Sequence, residues 1–336
     1  MADARYEPAP PVSGATARVV LIGPPSSLRS AVAGQLHRTT ELLACLDASD
    51  SLVTALSSVA ARTKELSGAT IVFVTDPRPP GLATRLSHRF RAAALATGFE
   101  QAAETARRHG AARAIVLSSA FIYADDCGLP LDPTSPTLTA AETVPAAAAE
   151  QAASRFTSLG GESVVLRLGW ACGAAEAITD RVLSAAWRGW RLIDGDPDAW
   201  LALITEGDAA EAVLPALAVP PGVYNVTDGA PITQGLLSAL LETASGKTLH
   251  RFHDPSWGRE GILFGLSRRI TDTTFSDLTG WRPRASTAES LADLLLSRSA
   301  GPPTEFLPGD GLGASTVASE DIGPVQTPRI AGHPDH

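Results

Sequence analysis

The sequence predicts an α/β protein: a doubly wound parallel sheet with a smaller C-terminal α/β part. Three observations carry that prediction. Short, β-branched apolar runs alternate with amphipathic helical runs along much of the chain. The apolar runs are hydrophobic on both faces, as strands covered by helices on each side must be. The first of them ends in a glycine turn that leads directly into a helix, and such a β-α alternation builds parallel sheets.

Taken in order, strands are expected at Ala17–Ile22, Leu42–Leu46, Thr70–Val74, Arg113–Ser118, Ser163–Leu168, Trp200–Thr205 and Val223–Val226. Between them, helices are expected at Leu28–Arg38, Leu52–Arg62, His88–His109 and Ala146–Ser158. The third stops at His109-Gly110, because glycine tolerates the left-handed turn that closes a helix. Later helices are expected at Asp208–Ala218, Thr233–Ala244 and Ser286–Ser297, the last opened by the capping box Ser286-x-x-Glu289. The resulting layout has a flexible tail over 1–16, a main domain over 17–176 with later strands from about 200–227, and a smaller substrate-binding part over 177–199 and 228–299. The Gly-, Pro- and Ser-rich stretch 300–336 reads as a second flexible tail.

Composition narrows the function. The 336 residues carry a net charge of −9, whereas nucleic-acid binding needs a basic surface. No apolar run reaches the roughly 18 residues of a membrane span. The polar N-terminus has no apolar leader core, and the three scattered cysteines, Cys45, Cys127 and Cys172, form neither a disulfide framework nor a metal-ligand spacing. A cytoplasmic protein with a small-molecule partner, no nucleic-acid or membrane partner and no metal is the expectation; a homodimer is left open.

Several segments in the right order resemble the extended short-chain dehydrogenases, the NAD-dependent epimerase/dehydratase group with a Rossmann-like fold. They are the strand–Gly23–helix start, the run Ala112–Tyr123 containing Ser118-Ser119 and Tyr123, the strand Val164–Gly169, then Gly222–Val226, and Gly280-Trp281-Arg282-Pro283. The resemblance spans about Ala17 to Arg298. It implies a GxxGxxG phosphate turn, a ribose-binding acid, and a Ser, Tyr and Lys for hydride chemistry. Here the turn positions are Gly23, Ser26 and Arg29, with Pro24 and Pro25 inside it. Proline has no N–H, so two phosphate-facing donors are lost. Ser26 and Ser27 could supply hydroxyl donors or cap the helix. Arg29 could meet a phosphate, block the turn or serve the surface. Asp47, 24 residues after Gly23, suits the ribose hydroxyls of NAD or a strand-end turn.

Ser119 matches the family's Ser. If Glu150 matches the helix Glu, Glu142 stands at the Tyr position and Ala146 at the Lys position. No Tyr-x-x-x-Lys occurs in the chain, whose lysines are Lys64 and Lys247. The expected catalytic set is therefore Ser119, Tyr123 and Glu142, with Glu142 as a buried general acid–base group. Trp170, Cys172, Trp190, Arg191 and Trp257 are the expected substrate contacts. The degenerate turn leads to the expectation that no nicotinamide cofactor is tightly bound. The function expected is a redox-inactive biosynthetic enzyme of cyclase, dehydratase or isomerase type, acting on a small aromatic or polycyclic secondary metabolite. The alternatives are a nicotinamide-dependent reductase or epimerase with a divergent site, and a non-catalytic ligand sensor or scaffold.

Overall fold

The computed structural model describes residues 16–47, 52–62, 66–75, 85–125, 128–138, 143–193, 195–251 and 264–298, with the backbone alone at 62 and 85–96. The described residues fall in one compact unit. The strands are β1 Arg18–Ile22, β2 Glu41–Leu46, β3 Thr70–Val74, β4 Arg113–Ser119, β5 Pro130–Leu131, β6 Glu162–Leu168, β7 Trp170–Cys172, β8 Trp190–Arg191, β9 Trp200–Leu201, β10 Leu203–Thr205, β11 Gly222–Val226, β12 Ile232–Thr233, β13 His250–Arg251 and β14 Arg269–Ile270. The helices are α1 Ser27–Thr39, α2 Leu52–Arg62, α3 Arg85–Arg108, α4 Val144–Ser158, α5 Ala177–Trp187, α6 Glu206–Glu211, α7 Val213–Ala216 and α8 Gln234–Ser245, followed by Thr274–Thr279 and Thr287–Ser297.

Six strands form the main sheet in the order β11-β6-β4-β3-β1-β2, all parallel. Alternation along each strand splits the core into two layers. Val19, Leu21, Val72, Val74, Ile115 and Leu117 pack with α1, α6 and α7 on one face. Val20, Ile22, Ile71, Phe73, Ala114 and Val116 pack with α2, α3 and α4 on the other. Both faces are thus dry, which is why the strands read as continuous apolar runs.

Two expected elements differ. The run Trp200–Thr205 breaks at Ala202: β9 pairs antiparallel with β12, and β10 pairs with β7, outside the main sheet. The helix expected at Asp208–Ala218 is split into α6 and α7. Pro215 removes the donor that would bond back to the previous turn. Helix α5 was not foreseen; the Glu176 carboxylate caps it, accepting from the Ile178 and Thr179 N–H groups. A third apolar cluster, including Val182, Leu183, Leu237, Leu241, Leu291 and Leu295, joins α5, α8 and the helix Thr287–Ser297 into the smaller lobe.

Candidate active site

A cleft of about 310 Å³ opens at the carboxyl ends of the strands, the crevice where parallel α/β sheets bind ligands. Ser26, Ser27 and Leu28 form one wall. Thr75 supplies the base from the end of β3. Trp170, Ala171, the turn Ala175–Ile178 and Glu206 form the opposite wall. Glycine makes the second wall possible. At Gly169 a Cβ would stand 2.9 Å from the Ala202 carbonyl oxygen, so only glycine lets the chain leave β6 this close to β10. The Trp170 N–H then donates to Ala202 O at 2.8 Å and starts β7. At Gly173 a Cβ would collide with the Glu206 carboxylate, which lies directly against the glycine backbone.

The opposite wall is the first turn of α1. Gly23 must be glycine, because a Cβ would meet the Val74 carbonyl oxygen at 2.6 Å. The Ser26 hydroxyl accepts from the Arg29 N–H at 3.1 Å and caps the helix. The N–H groups of Ser27 and Leu28 belong to the first turn, where donors have no intrahelical partner. Arg29 is not part of the cleft wall. Its Nη1 donates to Gly23 O at 2.8 Å and Leu46 O at 3.4 Å, and it pairs with Asp47 at the end of β2.

Of the expected catalytic residues, the described ones, Ser119 and Tyr123, are buried and do not line this cleft. Ser119 ends β4 and is buried, its Oγ accepting from the Phe121 N–H at 3.2 Å. Tyr123 is fully buried, donating its hydroxyl to Asn225 Oδ1 at 2.6 Å beneath the Arg167 guanidinium. Burial pushes its pKa above the ordinary value of 10, with Arg167 and Asn225 opposing. It is a neutral tyrosine packed in the core. Glu142, Trp257 and Cys127 lie outside the described residues, as do residues 1–15 of the expected tail 1–16 and all of the expected tail 300–336.

Among the expected substrate contacts, Trp170 reaches the cleft but packs edge-on against Phe264, ring centroids 5.1 Å apart. Cys172 is buried, and its thiol donates to Trp170 O at 3.4 Å. Burial raises its pKa well above 9.0, reinforced by the Glu176, Asp228 and Glu206 carboxylates, so it is no nucleophile at neutral pH. Trp190 and Arg191 sit elsewhere. They border a separate small cavity between α5 and α8, with the Trp190 ring 6.5 Å from that of His250. Among the described residues no three His, Cys, Asp or Glu side chains could jointly hold a metal ion.

Three polar cleft residues escaped the sequence reading: Thr75, Glu176 and Glu206. Thr75 donates to Leu117 O at 2.7 Å and shapes the base. Glu176 is occupied by its capping bonds, by the Thr179 hydroxyl at 2.8 Å and by the Trp170 indole N–H at 3.4 Å. Glu206 follows the Thr205 cap in the first turn of α6, where the helix dipole favours an acid. The sequence signals were an acid one residue beyond a strand end and a glycine opposite it, each too common to single out alone.

Neither a family model nor a curated relative matches the sequence. Solved structures do match in shape. The MoeE5 complex with UDP-glucose and NAD superposes with a TM-score of 0.66 at 17% identity, over 83% of this chain and 97% of that one. The Thermus thermophilus UDP-glucose 4-epimerase complex with NAD gives 0.65 at 18% identity, over 84% and 100%. RMD from Pseudomonas aeruginosa complexed with NADPH gives 0.62 at 19%, over 84% and 97%. This chain has the extended short-chain dehydrogenase fold. The complexes with NAD and NADPH overturn the expectation that no nicotinamide cofactor is bound. The cleft explains why the glycine losses misled: Arg29 turns away toward β2 and blocks nothing, and α1 still presents its first turn to the cavity.

Proposed function

We propose that this short-chain dehydrogenase-fold protein is an enzyme that holds a nicotinamide dinucleotide in the cleft and moves a proton on a small substrate with a carboxylate. The carrying observation is the cleft itself, which joins the N-terminus of α1 to a wall bearing Glu206. The residues fit the cofactor. The Ser27 and Leu28 N–H groups, the Ser26 and Ser27 hydroxyls and the positive end of α1 suit the pyrophosphate. Four polar groups and the helix terminus compensate for the donors missing at Pro24 and Pro25. A bound nicotinamide supplies hydride exchange.

The chain's own acid–base equipment departs from a tyrosine–lysine pair, since no Tyr-x-x-x-Lys exists and Tyr123 is sealed in the core. Glu206 stands at the cleft wall and accepts or returns the proton. Glu176 positions the loop and the Trp170 ring. Dehydration, isomerisation or cyclisation of a small aromatic or polycyclic metabolite needs no more than such a group and a shaped cavity. A second reading, a nicotinamide-dependent reductase or epimerase with a divergent site, is favoured by the NAD and NADPH complexes of the solved relatives.

Calorimetric titration with NADH and NADPH tests the cofactor reading, and heat from neither would sink it. Glu206→Gln should keep dinucleotide binding and lower turnover by about 100-fold, the usual loss for an acid–base group. Full activity in that variant would remove Glu206 from the mechanism. Loss of reduced-nicotinamide absorbance during turnover would favour the second reading.

A further inference from the structure

The two edges of the main sheet differ. At one edge Tyr224, Asn225 and Val226 of β11 are buried, and the helix Thr274–Thr279 lays its Phe275 ring 5.8 Å from that of Tyr224. At the other edge none of the six residues of β2 is buried. Leu42, Leu43, Ala44 and Leu46 pack on the core yet stay partly exposed, and Cys45 is exposed. Hydrogen bonds hold the strand on its inner side: Glu41 N–H donates to Ala17 O at 2.8 Å, and Leu46 O accepts from Gly23 N–H at 3.1 Å. Among the described residues β1 is its one strand partner. Unpaired N–H and C=O groups therefore line the outer side, which is a template for another strand. Edge strands that stay single are often blocked by Lys, Pro or an inward-pointing charge. The run Glu-Leu-Leu-Ala-Cys-Leu of β2 has no Lys and no Pro, and its one acid, Glu41, pairs with Arg18. The register slips once, at Leu43, and Ala44–Leu46 continue as regular strand.

We propose that the outer edge of β2 pairs with β2 of a second copy of this chain, joining two six-stranded sheets into one across a two-fold axis. The occupant follows from which edges are free. Strand pairing needs a free edge on each side. Among the described residues β2 is the one main-sheet edge left uncovered, and the strand pairs outside the main sheet are only two or three residues long. A copy therefore answers β2 with its own β2. Such a contact uses the same patch on both subunits, so it closes at two and builds no filament. The two-fold axis reverses the strand, which makes the pairing antiparallel. The apolar side chains Leu42, Leu43 and Leu46, half-buried in one copy, lose the rest of their exposure at the seam.

Sedimentation of the full chain under reducing conditions, from about 1 to about 100 μM, tests the proposal, because a six-residue seam is a small interface and the dimer is weak. Wild type should pass from monomer to dimer over that range. Cys45→Lys, at an exposed position, should fold and should weaken the dimer about tenfold or more, since a like charge enters the seam twice. Cys45→Ser should associate as wild type does. Hydrogen exchange supplies a reading that needs no variant: amides over Glu41–Leu46 should exchange more slowly at the higher concentration. A wild type that stays monomeric throughout overturns the proposal. A dimer undiminished by Cys45→Lys overturns it, and so does a dimer in which exchange over Glu41–Leu46 is unchanged, because the contact then lies elsewhere.

Discussion

Two side chains that chemistry would nominate are withheld from it by burial. The Tyr123 hydroxyl donates to Asn225 Oδ1, and the buried Asn225 Nδ2 has no hydrogen-bond partner among the described residues. Removing the hydroxyl leaves a buried acceptor unpaired, so Tyr123→Phe should cost about 1–3 kcal/mol of stability. Because burial raises the folded pKa of Tyr123 above 10, the folded state holds that proton longer than the unfolded chain. The protection is complete below pH 10 and is lost as pH rises through the folded value. The variant should therefore keep its neutral-range pH–rate profile while its denaturation midpoint falls. A shift in that profile would return Tyr123 to the mechanism. Cys172 makes the complementary case. It is buried, whereas Cys45 is exposed, so iodoacetamide followed by peptide mapping should modify Cys45 in the native protein and leave Cys172 untouched. Labelling of Cys172 at a comparable rate would show that the loop after β7 opens.

At the scale of elements, one buried ion pair ties helix to sheet. Arg167 on β6 donates through Nε and Nη2 to both Glu150 oxygens on α4, at 3.0 and 2.9 Å. The Ser118 hydroxyl on β4 donates to the same carboxylate at 2.6 Å. Burial works against the Arg167 charge, and the bonds to Glu150 and Tyr123 more than offset it, so it stays ionised. Glu150→Ala strands that charge and should cost about 3–5 kcal/mol. The double variant with Arg167→Met should recover much of the loss, and additive losses in urea unfolding would show the two residues uncoupled. The pattern also explains what was legible in the sequence. Strands such as Thr70–Val74 and helix Leu52–Arg62 were read to the residue, because both-face apolar runs and helical periodicity are local signals. Glu150 was matched to the family's helix Glu, and it lies on α4, where it accepts from Ser118 of β4. The β9/β10 break was not legible, because it depends on Gly169 meeting Ala202 across the fold. The cleft wall was missed for the same reason: Glu176 and Glu206 are 30 residues apart in sequence and meet only once β7 pairs with β10. For Arg29 the phosphate, blocking and surface readings stayed open, because sequence shows that a side chain is present but not which way it turns.

For the whole molecule, the cleft is a seam. One wall belongs to α1 and the main sheet, the other to the β7–α5 loop and α6, which lead into the smaller lobe. A ligand there contacts both sides and is absent from the unfolded chain, so binding adds directly to folding stability. The net charge of −9 gives an anionic dinucleotide no long-range attraction, and its affinity must come from the local donors of α1. At a ligand concentration about 100-fold above Kd the added stability is about 2.7 kcal/mol. For a chain of this size, with an unfolding entropy of about 2.1 cal/mol/K per residue, that corresponds to a rise in Tm of roughly 4 °C. NADH or NADPH should produce this shift in a thermal melt. In Glu206→Gln, whose carboxylate serves the substrate side, the shift should persist. Loss of the shift in Glu206→Gln would mean that the acidic wall holds the cofactor, and would move the proton-transfer group elsewhere in the cleft.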